Sequence, residues 1–303
     1  MIPDGFVRTT IDREGEAGEA WLAELPGVVD ELLARWGCVA DGEVGYGGVG
    51  LVVPVRRTDG AAVLKVSFPQ AENRFEPEAF ALWRGRGAVL LRERDDARFA
   101  MLLERAGPEQ LADLEDGDEI AEVAGRLSRR LAVPGPRGWP RLEEQVDGWV
   151  RELRAGAAAY PEVLPGAVVD AAVAVVEEIG RCQPELVVHG DLHPRNILRS
   201  EREDWLAIDP KGWVGDPAYD GSMLFRSRLR VLLGADDAVQ ALRRELEVFA
   251  EAAEVDAERV REWARFQLVR GVYWGRRHGF RFARRGPELE RAMAFVDQLA
   301  VRW

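Results

Sequence analysis

The residues best placed for chemistry lie in one short run, His189-Gly-Asp-Leu-His-Pro-Arg-Asn196. Within it, a carboxylate (Asp191) and an amide (Asn196) stand five residues apart. A second carboxylate, Asp209, follows 13 residues later, directly after the apolar run 205–208. A carboxylate beside a hydroxyl can accept its proton, and an amide with a carboxylate can hold Mg²⁺ next to phosphates. The spacing predicts Asp191 as the catalytic residue and Asn196 and Asp209 as metal ligands.

A glycine-rich stretch in the first third has the spacing of a phosphate-binding loop. The glycines and the valine that follows them are Gly45, Gly47, Gly48, Gly50 and Val52. Glycine lets backbone N–H groups approach phosphates without obstruction by a Cβ. In a nicotinamide-dependent dehydrogenase the third glycine of such a motif opens a helix, whereas here a strand, the turn signal 58–60 and a second strand follow. This context favours a nucleotide loop between antiparallel strands over a dehydrogenase motif, and a simple turn is the remaining alternative.

Lysine is rare in this chain, because only Lys65 and Lys211 occur among 41 basic residues. Lys65 lies on the second strand among apolar residues, where an unpaired charge is costly. Its expected partners are ATP phosphates and a carboxylate on the helix predicted at 75–83. Glu78 is the preferred carboxylate, and Glu76 the second choice, because Glu76 stands at the helix start just before a proline. A solvated lysine on an edge strand is the alternative.

These segments occur in the order of the protein-kinase motifs. The run from His189 to Asn196 fits the catalytic-loop template H-x-D-L-x-x-x-N, and Val63-Leu-Lys-Val66 fits the strand that carries the kinase lysine. No A-P-E segment follows Asp209. A platform for docking peptides is therefore not expected, and a small acceptor fits better.

The run 189–198 resembles the catalytic loop of aminoglycoside phosphotransferases and their choline-kinase-like relatives. The run 205–220, with Asp-Pro-Lys-Gly at 209–212 and Gly-Asp-Pro-Ala-Tyr-Asp at 215–220, resembles more narrowly the streptomycin 6-kinase and hydroxyurea phosphotransferase branch. The resemblance extends loosely from about residue 45 to the C-terminus. It implies an α+β, bilobal protein-kinase-like fold. Residues 1–106 would form an antiparallel sheet with a helix, and 107–303 a larger, mostly helical lobe with the catalytic loop and acceptor site.

The resemblance also implies roles. Asp191 would be the general base, Asn196 and Asp209 the Mg²⁺ ligands, and the glycine loop with Lys65 would handle the phosphates of ATP. Asp220 would tie the catalytic loop to the core. A separate hypothesis, which rests on the residue at position 211 alone, is that Lys211, in the place of the glycine of DFG, adds a cation near the phosphates. The backbone of three further residues would form the adenine hinge: Leu103, Glu104 and Arg105.

The activity implied by the resemblance is transfer of the ATP γ-phosphate to a hydroxyl of a streptomycin-like aminoglycoside or aminocyclitol. The alternatives are a kinase for hydroxyurea or another small secondary metabolite, and a non-catalytic ATP-binding protein. Aromatic residues near the C-terminus, with Glu262 beside them, would suit a cationic acceptor, although such aromatics are more often core. They are Trp263, Phe266, Tyr273 and Trp274, with His278 nearby.

Composition limits the partners. A net charge of −12 argues against nucleic acid, because phosphate neutralisation needs clustered cations. The chain has no apolar segment long enough to cross a membrane, no N-terminal secretory pattern and only two cysteines. We expect a cytoplasmic monomer whose partner is a small molecule.

Overall fold

The computed structural model describes residues 2–280 and 283–303 and divides after Gly107 into two compact units, one residue from the predicted boundary. The described part of the first unit, residues 2–107, contains three α-helices and six strands. They are α1 (Asp4–Glu14), α2 (Glu16–Arg35), β1 (Val39–Ala40), β2 (Gly45–Tyr46), β3 (Gly50–Arg57), β4 (Gly60–Ser67), α3 (Glu76–Trp83), β5 (Leu91–Asp95) and β6 (Ala100–Glu104).

The sheet of the first unit is antiparallel, with the order β1-β3-β4-β6-β5 and β2 paired to β3. The β3–β4 hairpin closes at residues 57–60, where the turn signal predicted it. Its register sets Val52 opposite Lys65. Because a strand follows the glycine motif, the dinucleotide-fold alternative is excluded.

Two elements of this unit differ from the sequence expectation. Helix α1 was not predicted, since its sequence is largely polar and only Phe6 and Thr10 are buried. The sequence offers strand candidates near 88–91 and 99–103, and the first of these strands begins instead at Leu91 and carries charged residues. Strand β5 lies at the edge of the sheet, where charged side chains remain partly solvated. Its sequence therefore lacks the apolar pattern by which a buried strand is predicted.

The second unit is mostly helical. Its elements are α4 (Gly117–Leu131), α5 (Val146–Ala159), α6 (Gly166–Gly180), β7 (Leu186–Val188), β8 (Ile197–Arg199), β9 (Trp205–Ala207), β10 (Trp213–Gly215), α7 (Ala218–Gly221), α8 (Leu224–Leu232), α9 (Ala238–Ala253), α10 (Ala257–His278) and α11 (Gly286–Arg302).

Two short antiparallel strand pairs hold the catalytic segment. Strand β7 pairs with β10, and β8 pairs with β9, so the loop 189–196 leaves one pair and enters the other. Helix α10 lies against α5, α6, α7, α9 and α11 and buries Trp263 and Phe266 in the core. Among the residues that the structure describes, no helix has the length and apolar character needed to span a bilayer.

Candidate active site

Asp220 holds the backbone at the start of the catalytic loop. Its two carboxylate oxygens accept hydrogen bonds from the backbone N–H groups of His189 (3.0 Å) and Gly190 (2.8 Å). The side chain is 1% exposed, and burial raises the pKa of Asp220 to about 7, although both hydrogen bonds oppose this change. Asp220 therefore ties the loop to the core, the role that the resemblance implied.

Gly190 shows why the loop needs a glycine at this point. Its φ of +81° lies in the left-handed region that side chains rarely adopt. A Cβ there would also lie 3.0 Å from Cβ of Lys211 and 3.1 Å from Cε3 of Trp213. The Lys211 backbone N–H in turn donates to the carbonyl of His189 at 2.7 Å. The segments 189–191 and 209–213 are thus held in close contact.

His189 is a structural residue rather than a proton carrier. It is fully buried, and burial lowers its pKa to about 4, so the ring is neutral near pH 7. Nε2 lies 2.9 Å from the carbonyl oxygen of Ile208, which can only accept. Nδ1 is then unprotonated and accepts the backbone N–H of Asp191 at 3.3 Å. One neutral tautomer satisfies both contacts and orients Asp191.

The carboxylate of Asp191 lies between two basic side chains and is partly accessible to solvent. Its Oδ1 lies 2.8 Å from Nη1 of Arg226, its Oδ2 lies 3.9 Å from Nε2 of His193, and its side chain is 22% exposed. Burial acts to raise the pKa of Asp191, whereas the charges of His193 and Arg226, and that of Lys211, lower it. The pKa lies below its ordinary value, so the group is ionised near neutral pH and can accept a proton.

Arg226 was not identified from the sequence. It lies on α8, in a chain whose basic residues are nearly all arginine, so residue type gave no signal. Only the tertiary contact with Asp191 distinguishes it from the other arginines.

Asn196 and Asp209 provide a donor set that suits Mg²⁺. The Asn196 side-chain N–H donates to the backbone carbonyl of Asp191 at 3.0 Å, which leaves its amide oxygen for another partner. The Asn196 carbonyl accepts from the N–H of Ile208 at 2.8 Å, which places Asp209 next to this contact. Asp209 has a φ of +57°, a conformation that aspartate tolerates better than most residues.

Mg²⁺ prefers a few oxygen ligands completed by water and substrate phosphates, so one amide and one carboxylate fit it. Within the described residues, no cluster of three or more His, Cys, Asp or Glu side chains has the arrangement of a metal site. The two oxygen donors, from Asn196 and Asp209, would need phosphates and water to complete the coordination of Mg²⁺.

In the first unit, the glycine loop lies against Lys65. The Gly47 N–H donates to the Gly50 carbonyl at 2.9 Å, and Gly48 is exposed. A Cβ on Gly50 would lie 2.9 Å from Oγ of Ser67 and 3.3 Å from Cε of Lys65. A glycine is therefore required at position 50 for close approach rather than for a positive φ, whereas a Cβ at Gly48 would meet nothing within 4 Å.

The partner expected for Lys65 is corrected by the structure. Nζ of Lys65 lies 2.6 Å from Oε1 of Glu76, and both side chains are buried. Glu78 instead pairs with Arg94 at 2.7 Å, and both of those groups are about one-third exposed. Glu76 is the better placed residue because the buried face of α3 runs through Glu76, Phe80 and Trp83, at helical spacing.

The residues expected at the hinge lie at the end of the sheet. Leu103 pairs with Val63 of β4, and Glu104 ends β6. The Glu104 carboxylate accepts the Leu90 N–H at 2.9 Å. The Arg105 guanidinium lies 2.8 Å from the carboxylate of Asp41, so its side chain is engaged on the protein surface.

Both carboxylates of the motif at 215–220, Asp216 and Asp220, have structural roles. Asp216 accepts from the Trp263 indole N–H at 3.0 Å and pairs with Arg259 at 2.6 Å. These contacts anchor α10. Trp263, Phe266 and Tyr273 are consequently core residues rather than acceptor contacts, and Glu262 pairs with Arg265 at 3.3 Å.

A pocket of about 460 Å³ opens beside the catalytic loop within the second unit. Loop residues His193 and Arg195 line it, together with Arg226, Trp274 and His278. Of the C-terminal aromatics expected at the acceptor site, Trp274 is the one that lines this pocket, and it is 48% exposed. An acceptor held here would be next to the residue that contacts Asp191.

Comparisons with known proteins show the family and the fold. The family model for aminoglycoside/hydroxyurea antibiotic resistance kinases matches residues 35–279. Streptomycin 6-kinase of Streptomyces glaucescens is 36% identical over 277 residues, 90% of each chain. Hydroxyurea phosphotransferase of Kitasatospora aureofaciens is 33% identical over 279 residues, 90% of this chain and 79% of that one. An amicoumacin kinase solved with AMP-PNP, Ca²⁺ and Ami matches with a TM-score of 0.58 at 11% identity, covering 90% of this chain and 93% of that one.

Fold and site together define a small-molecule kinase with the protein-kinase-like fold, and therefore an ATP-dependent phosphotransferase. More narrowly, the chain belongs to the aminoglycoside/hydroxyurea antibiotic resistance kinase family. The family resemblance identified from residues 189–198 and 205–220 is confirmed.

Proposed function

We propose that this chain moves the γ-phosphate of Mg·ATP to a hydroxyl of a small antibiotic or related metabolite. The observation that carries the proposal is the position of Asp191, which contacts Arg226 and lies on a loop that Asp220 holds to the core. An ionised, oriented carboxylate next to a pocket is what a hydroxyl nucleophile requires.

In the proposed reaction the acceptor hydroxyl gives its proton to a carboxylate oxygen of Asp191. The oxygen–phosphorus bond forms at the γ-phosphate, and the bond to the β–γ bridging oxygen breaks, so that ADP leaves with the electron pair. Asn196 and Asp209 would hold Mg²⁺, which when bound neutralises charge on the phosphates. Lys65, kept in place by Glu76, and the backbone of Gly45 to Gly50 would bind the phosphates.

Two further assignments belong to the same proposal. The backbone of Leu103 to Arg105 would bind the adenine ring, as the resemblance implied. Lys211 would add a positive charge near the phosphates, since its charge already lowers the pKa of Asp191. Unchanged ATP KM and kcat in Lys211→Ala would remove Lys211 from the mechanism.

Streptomycin is the first acceptor to test, because a streptomycin 6-kinase is the relative at 36% identity. Hydroxyurea is the second, because a hydroxyurea phosphotransferase is 33% identical across 90% of the chain. We propose a cytoplasmic monomer without nucleic-acid or membrane partners, in keeping with the net charge of −12.

The test is an ADP-release assay with streptomycin, other aminoglycosides, hydroxyurea and simple alcohols, each with and without Mg²⁺. We expect acceptor-dependent ADP release that requires Mg²⁺ and disappears in Asp191→Asn. If saturating ATP binds but no acceptor in the panel gives turnover above the Asp191→Asn background, the non-catalytic alternative replaces the proposal.

A further inference from the structure

Helix α1 contacts the glycine loop through an arginine. Nη1 of Arg13 donates to the backbone carbonyl of Gly48 at 2.6 Å, and the two residues are 35 positions apart in the chain. The helix lies outside residues 35–279, the range that the family model covers, and no role assigned above involves it. The contact therefore joins a segment without an assigned function to the loop expected to bind phosphates.

Glu14 orients the arginine. Its Oε1 accepts hydrogen bonds from Nε of Arg13 and from Nε2 of Gln70, the second at 2.7 Å. Gln70 follows β4, the strand that carries Lys65. The Glu14 side chain is 16% exposed, so these contacts are partly shielded from water. One hydrogen-bond network thus runs from the end of the lysine strand, through α1, to the glycine loop.

The same helix also packs against the loop at Tyr46. The ring centroids of Phe6 and Tyr46 are 5.6 Å apart, and Phe6 is fully buried. A Cβ on Gly5 would collide with Oη of Tyr46, so the tyrosine side chain reaches the backbone of α1. Helix α1 therefore touches the loop at two points, one on each side of Gly47, through an apolar contact and a hydrogen bond.

The backbone carbonyls at the tip of the loop are occupied by partners from the rest of the unit. The Gly48 carbonyl accepts from Arg13, and the Val49 carbonyl accepts from the N–H of Phe68 at 2.9 Å. Because C=O and N–H point in opposite directions in a trans peptide, the N–H of Val49 points away from Arg13. Within residues 2–280 and 283–303, the N–H groups of Gly48 and Val49 have no hydrogen-bond acceptor. These two donors are available to an anion such as a phosphate.

We propose that α1 holds the glycine loop in the conformation that binds ATP, and that Arg13 is a positioning residue for the nucleotide. By fixing the Gly48 carbonyl, Arg13 keeps the Val49 N–H turned toward the phosphates. This inference rests on the proposed binding of ATP by the loop and assigns α1 a part in it. A loop that is ordered before its ligand arrives loses less conformational entropy on binding, which increases affinity. Loss of Arg13 should therefore weaken ATP binding and leave the chemical step unchanged.

The test combines calorimetric titration of the intact chain with Mg·ATP, without any acceptor, and hydrogen exchange of the loop amides. Arg13→Gln should raise the Kd for ATP about threefold or more, because it removes a charged donor to the Gly48 carbonyl. Without nucleotide, the amides of residues 47–50 should exchange faster in this variant, because the loop opens more often. Arg13→Lys keeps a charged donor, and its Kd should lie between those of wild type and Arg13→Gln.

The matched control is Arg8→Gln, which removes the same charge from an exposed position of the same helix. It should leave both the Kd for ATP and the exchange of residues 47–50 as in wild type. An unchanged Kd in Arg13→Gln would overturn the inference, whether or not exchange of the loop is faster. An equal rise of Kd in Arg8→Gln would also overturn it, because the charge of the helix rather than the hydrogen bond would then explain the effect.

The outcome is separable from that of the proposed function. In the ADP-release assay, Arg13→Gln should raise the KM for ATP while kcat at saturating ATP stays within about twofold of wild type, a separation that a general loss of structure would not produce. ATP binding by wild type with the same Kd in Arg13→Gln would overturn the role of α1 and leave phosphotransfer intact. A wild-type chain that does not bind Mg·ATP would count against phosphotransfer itself.

Discussion

Nη1 of Arg226 lies 2.8 Å from Oδ1 of Asp191, so an arginine of α8 contacts the carboxylate that is placed to accept the proton. Burial acts to raise the pKa of Asp191, and the charges of His193 and Arg226 outweigh it. We infer that Arg226 is a positioning residue that keeps Asp191 ionised and oriented, and the same side chain lines the pocket beside the catalytic loop.

Arg226→Gln should raise the pKa of Asp191, because one of the charges that stabilise the carboxylate is removed. The acid limb of the pH profile of kcat should therefore move to higher pH, and Arg226→Lys should remain close to wild type. Steady-state kinetics at saturating substrates between pH 5 and pH 9 (about the range that the titration needs) measure this shift. Superimposable profiles would mean that Arg226 has no influence on the base.

Asp191→Asn should reduce kcat by about 10²- to 10⁴-fold while ATP binding is largely kept, because the substitution removes a proton acceptor and retains the shape of the side chain. ADP release and nucleotide titration measure the two properties separately. Asp236→Asn, at an exposed position after α8, is the matched control and should behave as wild type. Full turnover in Asp191→Asn would exclude this residue as the base.

Asp209→Asn should raise the Mg²⁺ concentration for half-maximal activity by about tenfold or more, because a neutral amide is a weaker ligand for a hard cation. Asparagine is chosen over alanine because the φ of +57° is tolerated by asparagine. A Mg²⁺ titration of activity at fixed ATP measures the change. A midpoint equal to that of wild type would show that Asp209 is not a metal ligand.

Glu76→Gln should lower the free energy of unfolding by about 3 kcal/mol, since it leaves the buried Lys65 ammonium facing a neutral group. Glu78→Gln should change it by less than about 1 kcal/mol, because its pair with Arg94 is partly solvated. Urea denaturation of both variants gives the comparison, and ATP KM should rise in the first alone. Equal effects of the two substitutions would contradict the assignment of Glu76 as the lysine partner.

Asp220 should make stability dependent on pH. Its pKa of about 7 in the folded state lies above that of an unfolded aspartate, so the folded state holds the proton more tightly. The contribution to stability is complete below the unfolded pKa near 4 and is lost as pH rises through about 7.

Asp220→Asn removes this titration and leaves one of the two backbone N–H donors unsatisfied, at a cost of about 1 to 3 kcal/mol. As the pH rises from 4 to 7 (about the window set by the two pKa values), wild type loses this contribution to its unfolding free energy and the variant does not. The difference in unfolding free energy between the two proteins should therefore become smaller as the pH rises. Urea denaturation at several pH values measures it. A difference that is constant over this interval would show that Asp220 does not titrate there.

Much of the site could be predicted because its chemistry is encoded in local spacing. The relation of Asp191 to Asn196 is set by a loop of a few residues, and the hairpin after the glycine motif fixes Val52 opposite Lys65. Local hydrogen bonds and turn geometry decide such arrangements, so the motifs could be read from the sequence, and their resemblance to a known family implied the fold.

Three features depended on packing between distant segments. Burial along one face of α3 selected Glu76 over Glu78, a choice made by what the helix packs against rather than by its sequence. The contact of Arg226 with Asp191 joins residues 35 apart. The pocket lining brings His193 and Arg195 together with residues of α8 and α10 and with Arg284.

By itself the sequence determined the type of chemistry, because catalytic spacing is local and its residue types are restrictive. Tertiary structure alone decided which charges line the pocket beside the catalytic loop, because these side chains come from separate elements. The chain is acidic on average, so its composition did not predict a pocket lined by arginines. The pocket forms only when α8 and α10 pack beside the catalytic loop.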